Sequence, residues 1–301
     1  IVAIGAGMFA AFPGHRKRVA VAGLAALILA ALPYAKNAAL FGEFTVSSWS
    51  GKHLWIKTVG NMDPQDRQRL YEEGVLTEVS RPGLNRFEAT GFYPDKYLDV
   101  AGFEGIPALR EFHKSTGHTN YNHLAQIAIS NDYGRDARYV LLHYPKTFLV
   151  TTLQAGLIYL QSNATWARES PNYGELGPWV WFYETLVYGR LPFNAFARLP
   201  NISKLVREQY VVVLLVLPAV FFVGVYAAAR GKFAGRTLSI SERLVLGYMV
   251  FNIFYVGLLA VLFEIAETSR MRLMTDPVSV VLLGFAVQGL VRRVGRQKRE
   301  N

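Results

Sequence analysis

The chain has 301 residues, of which 51% are hydrophobic and 18% charged, with a formal net charge of +10 and a mean hydropathy of +0.19. It is too apolar for an ordinary soluble domain and too charged for a bare set of membrane spans, so spans must alternate with folded polar segments. Cysteine is absent, which excludes a disulfide framework and a thiolate metal site.

The basic residues fall in short clusters beside apolar runs: His15-Arg16-Lys17-Arg18, then Arg230, Lys232 and Arg236, then the stretch 292–299. This is the positive-inside pattern of a membrane protein. No basic stripe interleaved with aromatics occurs in a polar segment, so a nucleic-acid partner is not expected. The opening apolar run, residues 1–12, is short for a span and begins at Ile1. It reads as the truncated end of a helix whose beginning lies upstream, and the basic cluster after it argues against a cleaved signal peptide.

Residues 19–34 are apolar and alanine-rich, with Pro33 near their end, and predict a span that leaves the cytoplasm. Residues 1–35 are thus expected to hold two transmembrane helices, the first truncated. Residues 36–146 have soluble composition, with turn signals at Asp63-Pro64, Arg81-Pro82-Gly83 and Tyr93-Pro94-Asp95 and an acid-rich helical stretch at 66–78. They predict an extracytoplasmic α-rich domain. Residues 147–209 contain an apolar stretch, 148–160, that carries Thr151, Thr152 and Gln154 and is short for a crossing. Because both flanking segments are placed outside, a single crossing there is forbidden, and an interfacial helix is expected. A pair of crossings with 177–188 as the return is the alternative, but Pro178, Trp179, Trp181, Phe182, Tyr183 and Glu184 suit the interface better. Residues 210–301 predict three spans, at 210–229, 244–263 and 273–291, and a basic cytoplasmic tail. The fold class expected is mainly α: a polytopic transmembrane helix bundle with an extracytoplasmic α-rich loop domain and an interfacial helix.

Charges close to hydrocarbon are costly unless paired or used. Glu264, Glu267, Arg270 and Arg272 lie between the last two spans. On a continued helix, the three-residue spacing of Glu264, Glu267 and Arg270 would place them on one face. Two arginines at headgroup depth suit a lipid phosphate, with a glutamate orienting a guanidinium or a sugar hydroxyl. Interfacial snorkelling and salt bridging explain the same residues equally well. Arg138, His143 and Lys146, beside Arg135 and Tyr144, offer a secondary phosphate or headgroup site or, equally, an anchor for the interfacial helix. Asp63, Asp66, Asp95 and Asp99 are available acids, but turn and cap roles account for the first three. Trp49, within Ser47-Ser48-Trp49-Ser50-Gly51, and Trp55 could stack on a sugar ring or sit in an aromatic belt. The histidines lack metal-ligand spacing. No G-x-G-x-x-G, G-x-x-x-x-G-K-[ST] or G-x-S-x-G occurs.

Three segments resemble the GT-C glycosyltransferases that use polyprenyl-phosphate sugars, near the bacterial dolichyl-phosphate-mannose-protein mannosyltransferase-like group. Pro33-Tyr34-Ala35-Lys36-Asn37 through Leu40-Phe41-Gly42-Glu43-Phe44 to Ser47-Ser48-Trp49-Ser50-Gly51 looks like that family's span exit and loop start. His143-Tyr144-Pro145 with Phe148 is similar to its H-P-containing surface helix, and Glu267 through Arg270-Met271-Arg272 to Pro277 to its R-Y-R segment. Met271 stands where the family usually has tyrosine, and a single proline remains where relatives often have two. The resemblance implies a glycosyltransferase of the bacterial inner (plasma) membrane, with residues 36–209 outside. It would move a sugar from a polyprenyl-phosphate donor to a glycan, lipid or protein acceptor, with Arg270 and Arg272 on the phosphate. The family's acidic residue lies in a first outer loop upstream, so no catalytic residue can be named here and this piece alone is not expected to turn over. No covalent cofactor is implied, and dependence on a divalent metal is left open. The competing expectation is a non-catalytic membrane assembly or transport subunit with an outer partner-binding domain, which interfacial rather than midplane charges disfavour.

Overall fold

The computed structural model describes residues 2–84, 90–162, 173–191, 209–264 and 268–300. The chain divides into two compact units, Ile1–Leu32 with Gln154–Leu262 and Ala266–Asn301, and Pro33–Leu153 with Phe263–Ile265. Nearly all the regular structure is helical.

Helix α1 (Val2–Ala11) is followed by a 3-10 turn, Pro13–His15, and by α2 (Arg16–Phe41). The span predicted to stop near Pro33 runs on to Phe41 instead. Proline removes one backbone donor, but the alanine-rich turns after it propagate well. The helix ends at Gly42, whose φ of +71° suits the residue after a helix and whose N–H donates to Ala38 O. None of its apolar stretch is buried within the chain.

In the second unit, α3 (Ser50–Lys57) packs on α7 (Ala125–His143). Ala125, Ile129, Tyr133, Ala137 and Val140 recur at helical spacing along one face of α7 and are fully buried, which is the amphipathic stripe that seats it. Gly51 makes the packing possible: a Cβ there would stand 1.8 Å from Ser130 O. Helix α4 (Pro64–Glu72) starts on Asp63, whose carboxylate accepts from Gln65 N, with proline in the first turn. Two short helices, α5 (Asp95–Leu98) and α6 (Pro107–Arg110), complete the peripheral layer. A buried polar network ties it to α7. Trp55 Nε1 donates to Ser80 Oγ, which donates to Asp136 Oδ2, and Thr77 donates to the same oxygen through N–H and hydroxyl. Arg67 stacks over Trp55 and donates to Ser80 O and Arg81 O.

Helix α7 ends at His143 and α8 (Pro145–Tyr159) begins two residues later, because proline can open a helix but not continue one. The expected helix at 148–160 is therefore present and starts earlier; its 15 residues fall short of the roughly 20 that a crossing needs. Helix α9 (Tyr173–Leu186) covers most of the proposed return segment.

In the first unit a π-helical turn, Val212–Val216, leads into α10 (Leu217–Arg230), where Pro218 lacks the N–H for a regular turn. Gly231, at φ +64°, ends α10, and Arg243 donates to Ala228 O and Ala229 O, setting a cation on the helix's carbonyl end. The basic linker forms a hairpin, β1 (Lys232–Phe233) against β2 (Arg236–Thr237), with Ala234 and Gly235 both at positive φ in the turn. Helix α11 (Ile240–Phe263) opens with a capping box, Ser239 N to Glu242 Oε2 and Glu242 N to Ser239 Oγ. A short helix, α12 (Thr268–Met271), and a 3-10 turn, Arg272–Met274, precede α13 (Asp276–Glu300). Val220 and Ala227 of α10, Leu246 of α11 and Leu282 of α13 join Leu238 in one buried cluster.

Among the described residues, four helical stretches are long and apolar enough to cross a membrane: Pro13–Phe41, Val212–Arg230, Ile240–Phe263 and Asp276–Gly295. They mark the chain as membrane-associated.

Candidate functional site

Helix α11 stops at Phe263 and α12 starts at Thr268, so Glu264 lies outside the helix that carries Arg270. Glu267 lies outside the described residues. Glu264, in the second unit, sits 3.1 Å from His53 Nδ1 and also draws on Lys57, one turn further along α3. Burial pushes the Lys57 ammonium down to about 8 against the opposing pull of Glu264. Glu264 thus serves a His–Lys pair on α3.

The two arginines differ. Arg270 is exposed on α12. Arg272 is 3% exposed and held from three sides. Its Nε donates to Asp276 Oδ1 at 3.1 Å, its Nη1 to Tyr159 O at 2.9 Å, and its guanidinium carbon lies 5.4 Å from the centre of the Tyr188 ring. Tyr188 OH donates to the other oxygen of Asp276 at 3.2 Å, so one carboxylate orients both groups. The local sequence explains the placement: Arg272 and Asp276 are four apart across the start of α13, and Thr268 Oγ1 tethers α12 to Ala155 O.

Nη2 of Arg272 is buried and makes no hydrogen bond. Leaving a charged donor in that state costs on the order of 1–3 kcal/mol or more, which an anionic ligand would offset. The same side chain lines a groove of about 400 Å³. Leu217, Phe221 and Phe222 of α10 and Phe254 and Leu258 of α11 make its walls, and Thr275 and Ser279, whose hydroxyls donate to Arg272 O and Thr275 O, join the lining. An amphiphile with an anionic head and a hydrocarbon tail matches that distribution.

The secondary group offers less. Arg138 is exposed and donates to Gly134 O of its own helix; His143 stacks on Tyr139 at 4.1 Å with Nδ1 on Tyr139 O; Lys146 is exposed on the first turn of α8. Asp63 caps α4, Asp66 pairs with Arg69, and Asp95 and Asp99 bracket α5. Trp55 is 3% exposed in the core and unavailable for stacking on a ligand, whereas Trp49 is half-buried beside a cleft. Trp166 lies outside the described residues. Among the described residues, no three His, Asp or Glu side chains gather as a metal site.

Asp276, Tyr159 and Tyr188 are absent from the sequence reading. The four-residue step from Arg272 would have exposed Asp276, whereas the two tyrosines reach the site from distant segments and leave no local signal. No family model, curated protein or solved structure matches the chain.

Proposed function

We propose that the chain is the donor-binding, C-terminal part of a membrane glycosyltransferase that moves a sugar from a polyprenyl-phosphate carrier to an acceptor outside the cytoplasm. One observation carries the reading: Arg272 is buried with no hydrogen bond on Nη2, and it is among the residues that line a largely apolar groove between two candidate spans. In this reading the phosphate sits on Nη2 beside Thr275 and Ser279, and the first isoprene units lie along Phe221, Phe222 and Phe254. Asp276 and Tyr188 keep the fork aimed, so that little orientational freedom is lost on binding. The phosphate is the leaving group of sugar transfer, and a fixed guanidinium stabilises the charge it gains. In this reading Arg236 and Arg293 lie on the cytoplasmic side of a bacterial inner membrane and residues 36–209 outside, which the positive-inside pattern of the basic clusters supports.

Binding of farnesyl phosphate and farnesol to the chain in lipid nanodiscs tests the proposal. The phosphate should bind at least about tenfold more tightly, the span of one or two charge-assisted hydrogen bonds. Arg272→Ala should abolish that preference, Arg272→Lys should keep part of it, and Arg270→Ala should change it little. Equal binding of the alcohol and its phosphate would sink the reading.

A further inference from the structure

The second unit carries a cleft of about 500 Å³ that the donor groove does not explain. Trp49 and Tyr121 line it, their rings edge to face with centroids 5.2 Å apart, together with Glu43, Asn131, Asn122 and Ser48. Trp49 is positioned from both sides, its N–H donating to Ser47 Oγ and its carbonyl accepting from His53 N. Tyr121 follows Asn120, which is buried and donates to Ala108 O and Glu111 O. Glu43 accepts from Asn131 Nδ2 at 2.7 Å, which leaves its second oxygen for a ligand.

Behind the aromatic wall lies Lys52, only 2% exposed. Its ammonium donates to Gln126 Oε1 at 2.9 Å and stands over the rings of Trp49, Tyr121 and Tyr93 at 4.7, 5.6 and 5.9 Å. Gln126 is fixed in turn by Thr90 Oγ1. A buried cation spread across three rings is costly to build, and its effect is to lock the Trp49–Tyr121 corner in one geometry.

The lining selects the ligand class. A cation is disfavoured because the Trp49 and Tyr121 rings already hold one. An anion or nucleotide is disfavoured because the lining includes Glu43 and contains neither lysine nor arginine. The one histidine there, His123, is held below its ordinary pKa by burial, so it stays neutral. A purely apolar ligand would strand the amides, the carboxylate and the serine hydroxyls. What remains is a neutral polyhydroxylated ring, whose C–H face lies on an indole while its hydroxyls meet paired acceptors and donors.

We infer that the Trp49–Tyr121 cleft binds a neutral saccharide. The cleft would hold a saccharide whether or not the groove holds a donor. Its assignment as the place where a glycan acceptor is held rests on the transferase reading above.

The test incorporates 5-fluorotryptophan into the full chain in nanodiscs, assigns the Trp49 resonance with Trp49→Phe, and titrates maltotriose, cellotriose and mannotriose. At least one trisaccharide should shift the Trp49 signal and saturate at about millimolar concentration, as expected of an isolated sugar site. The Trp55 signal should stay fixed. Glu43→Gln and Asn131→Ala, whose folding the unchanged Trp55 signal reports, should weaken the saccharide about fivefold or more. Arg272→Ala should leave saccharide binding intact, so that loss of farnesyl phosphate binding and loss of saccharide binding are read separately. No shift with any trisaccharide, or unchanged affinity in both cleft variants, overturns the assignment.

Discussion

Lys52 and Lys57 lie on α3 with their ammonium groups out of water, and burial pushes each down to about 8 from 10.5. A depressed folded-state pKa means that the native state holds these protons less tightly than the unfolded chain does, so this part of the stability is complete above about 10.5 and is lost as pH falls through about 8. Thermal unfolding in nanodiscs should therefore shift upward between pH 7 and 9.5, by at most about 1.4 kcal/mol per pH unit for each lysine. Lys52→Met should flatten that slope and Lys52→Met with Lys57→Met should nearly abolish it; a slope unchanged in the double variant would refute the account. Asp136 works in the opposite sense. Burial raises its carboxyl, with hydrogen bonds from Ser80 and Thr77 opposing, so its contribution is complete below the ordinary carboxylate range and declines as pH rises through the folded value. Replacing it by alanine strands Ser80 Oγ and the Thr77 N–H and should cost about 2–3 kcal/mol. Asp136→Asn, which keeps one acceptor, should cost less in the same denaturation series.

Among the elements, the α3–α7 contact is the most sensitive to volume. A methyl group at Gly51 meets the Ser130 carbonyl at 1.8 Å and Gly134 N at 2.9 Å, both backbone atoms that no rotamer can move. Gly51→Ala should destabilise the second unit by about 3 kcal/mol or more, read as lost near-ultraviolet circular dichroism from buried Trp55 and Tyr133. Gly247, mid-helix in α11 with open space around it, is the control: Gly247→Ala should be neutral or slightly stabilising. Gly289 of α13 repeats the theme, since a Cβ there would stand 2.1 Å from the Phe233 ring of the hairpin. Gly289→Ala should displace that hairpin while leaving the Arg272 groove and its farnesyl phosphate preference in place.

For the whole molecule, the absence of cysteine makes topology measurable with single introduced thiols. If the basic clusters set orientation, positions 236 and 293 should label only from the cytoplasmic side and position 113 only from the other. Labelling of all three from one side would refute the proposed arrangement. The positions of the long apolar helices were legible because composition averages over some twenty residues, so local irregularities such as Pro33 or the π turn before Pro218 barely dilute it. Shorter features were not. Glu264 meets His53, more than two hundred residues earlier, and no spacing rule carries that distance. The arginine pair was visible as charge beside hydrocarbon, but the sequence could not say that Arg272 would be buried and Arg270 exposed, because that is decided by Tyr159 and Tyr188 arriving from elsewhere.

Gly51 also bears on how variation in this chain would be interpreted. It sits one residue before Lys52 and two after Trp49, and the intimate seating of its backbone on α7 is what brings the ammonium within reach of Gln126. A residue that touches no ligand therefore sets the register of the aromatic corner. In a saturation scan selected for saccharide capture, position 51 should fall in the same intolerance class as Trp49 and Glu43. At Gly60 a Cβ would meet the Trp55 ring at 2.9 Å and Trp55 O at 3.4 Å, a milder clash than the 1.8 Å to Ser130 O at position 51, so position 60 should tolerate exchange more readily. The scan would thus record the missing side chain at 51 as if it were a binding residue.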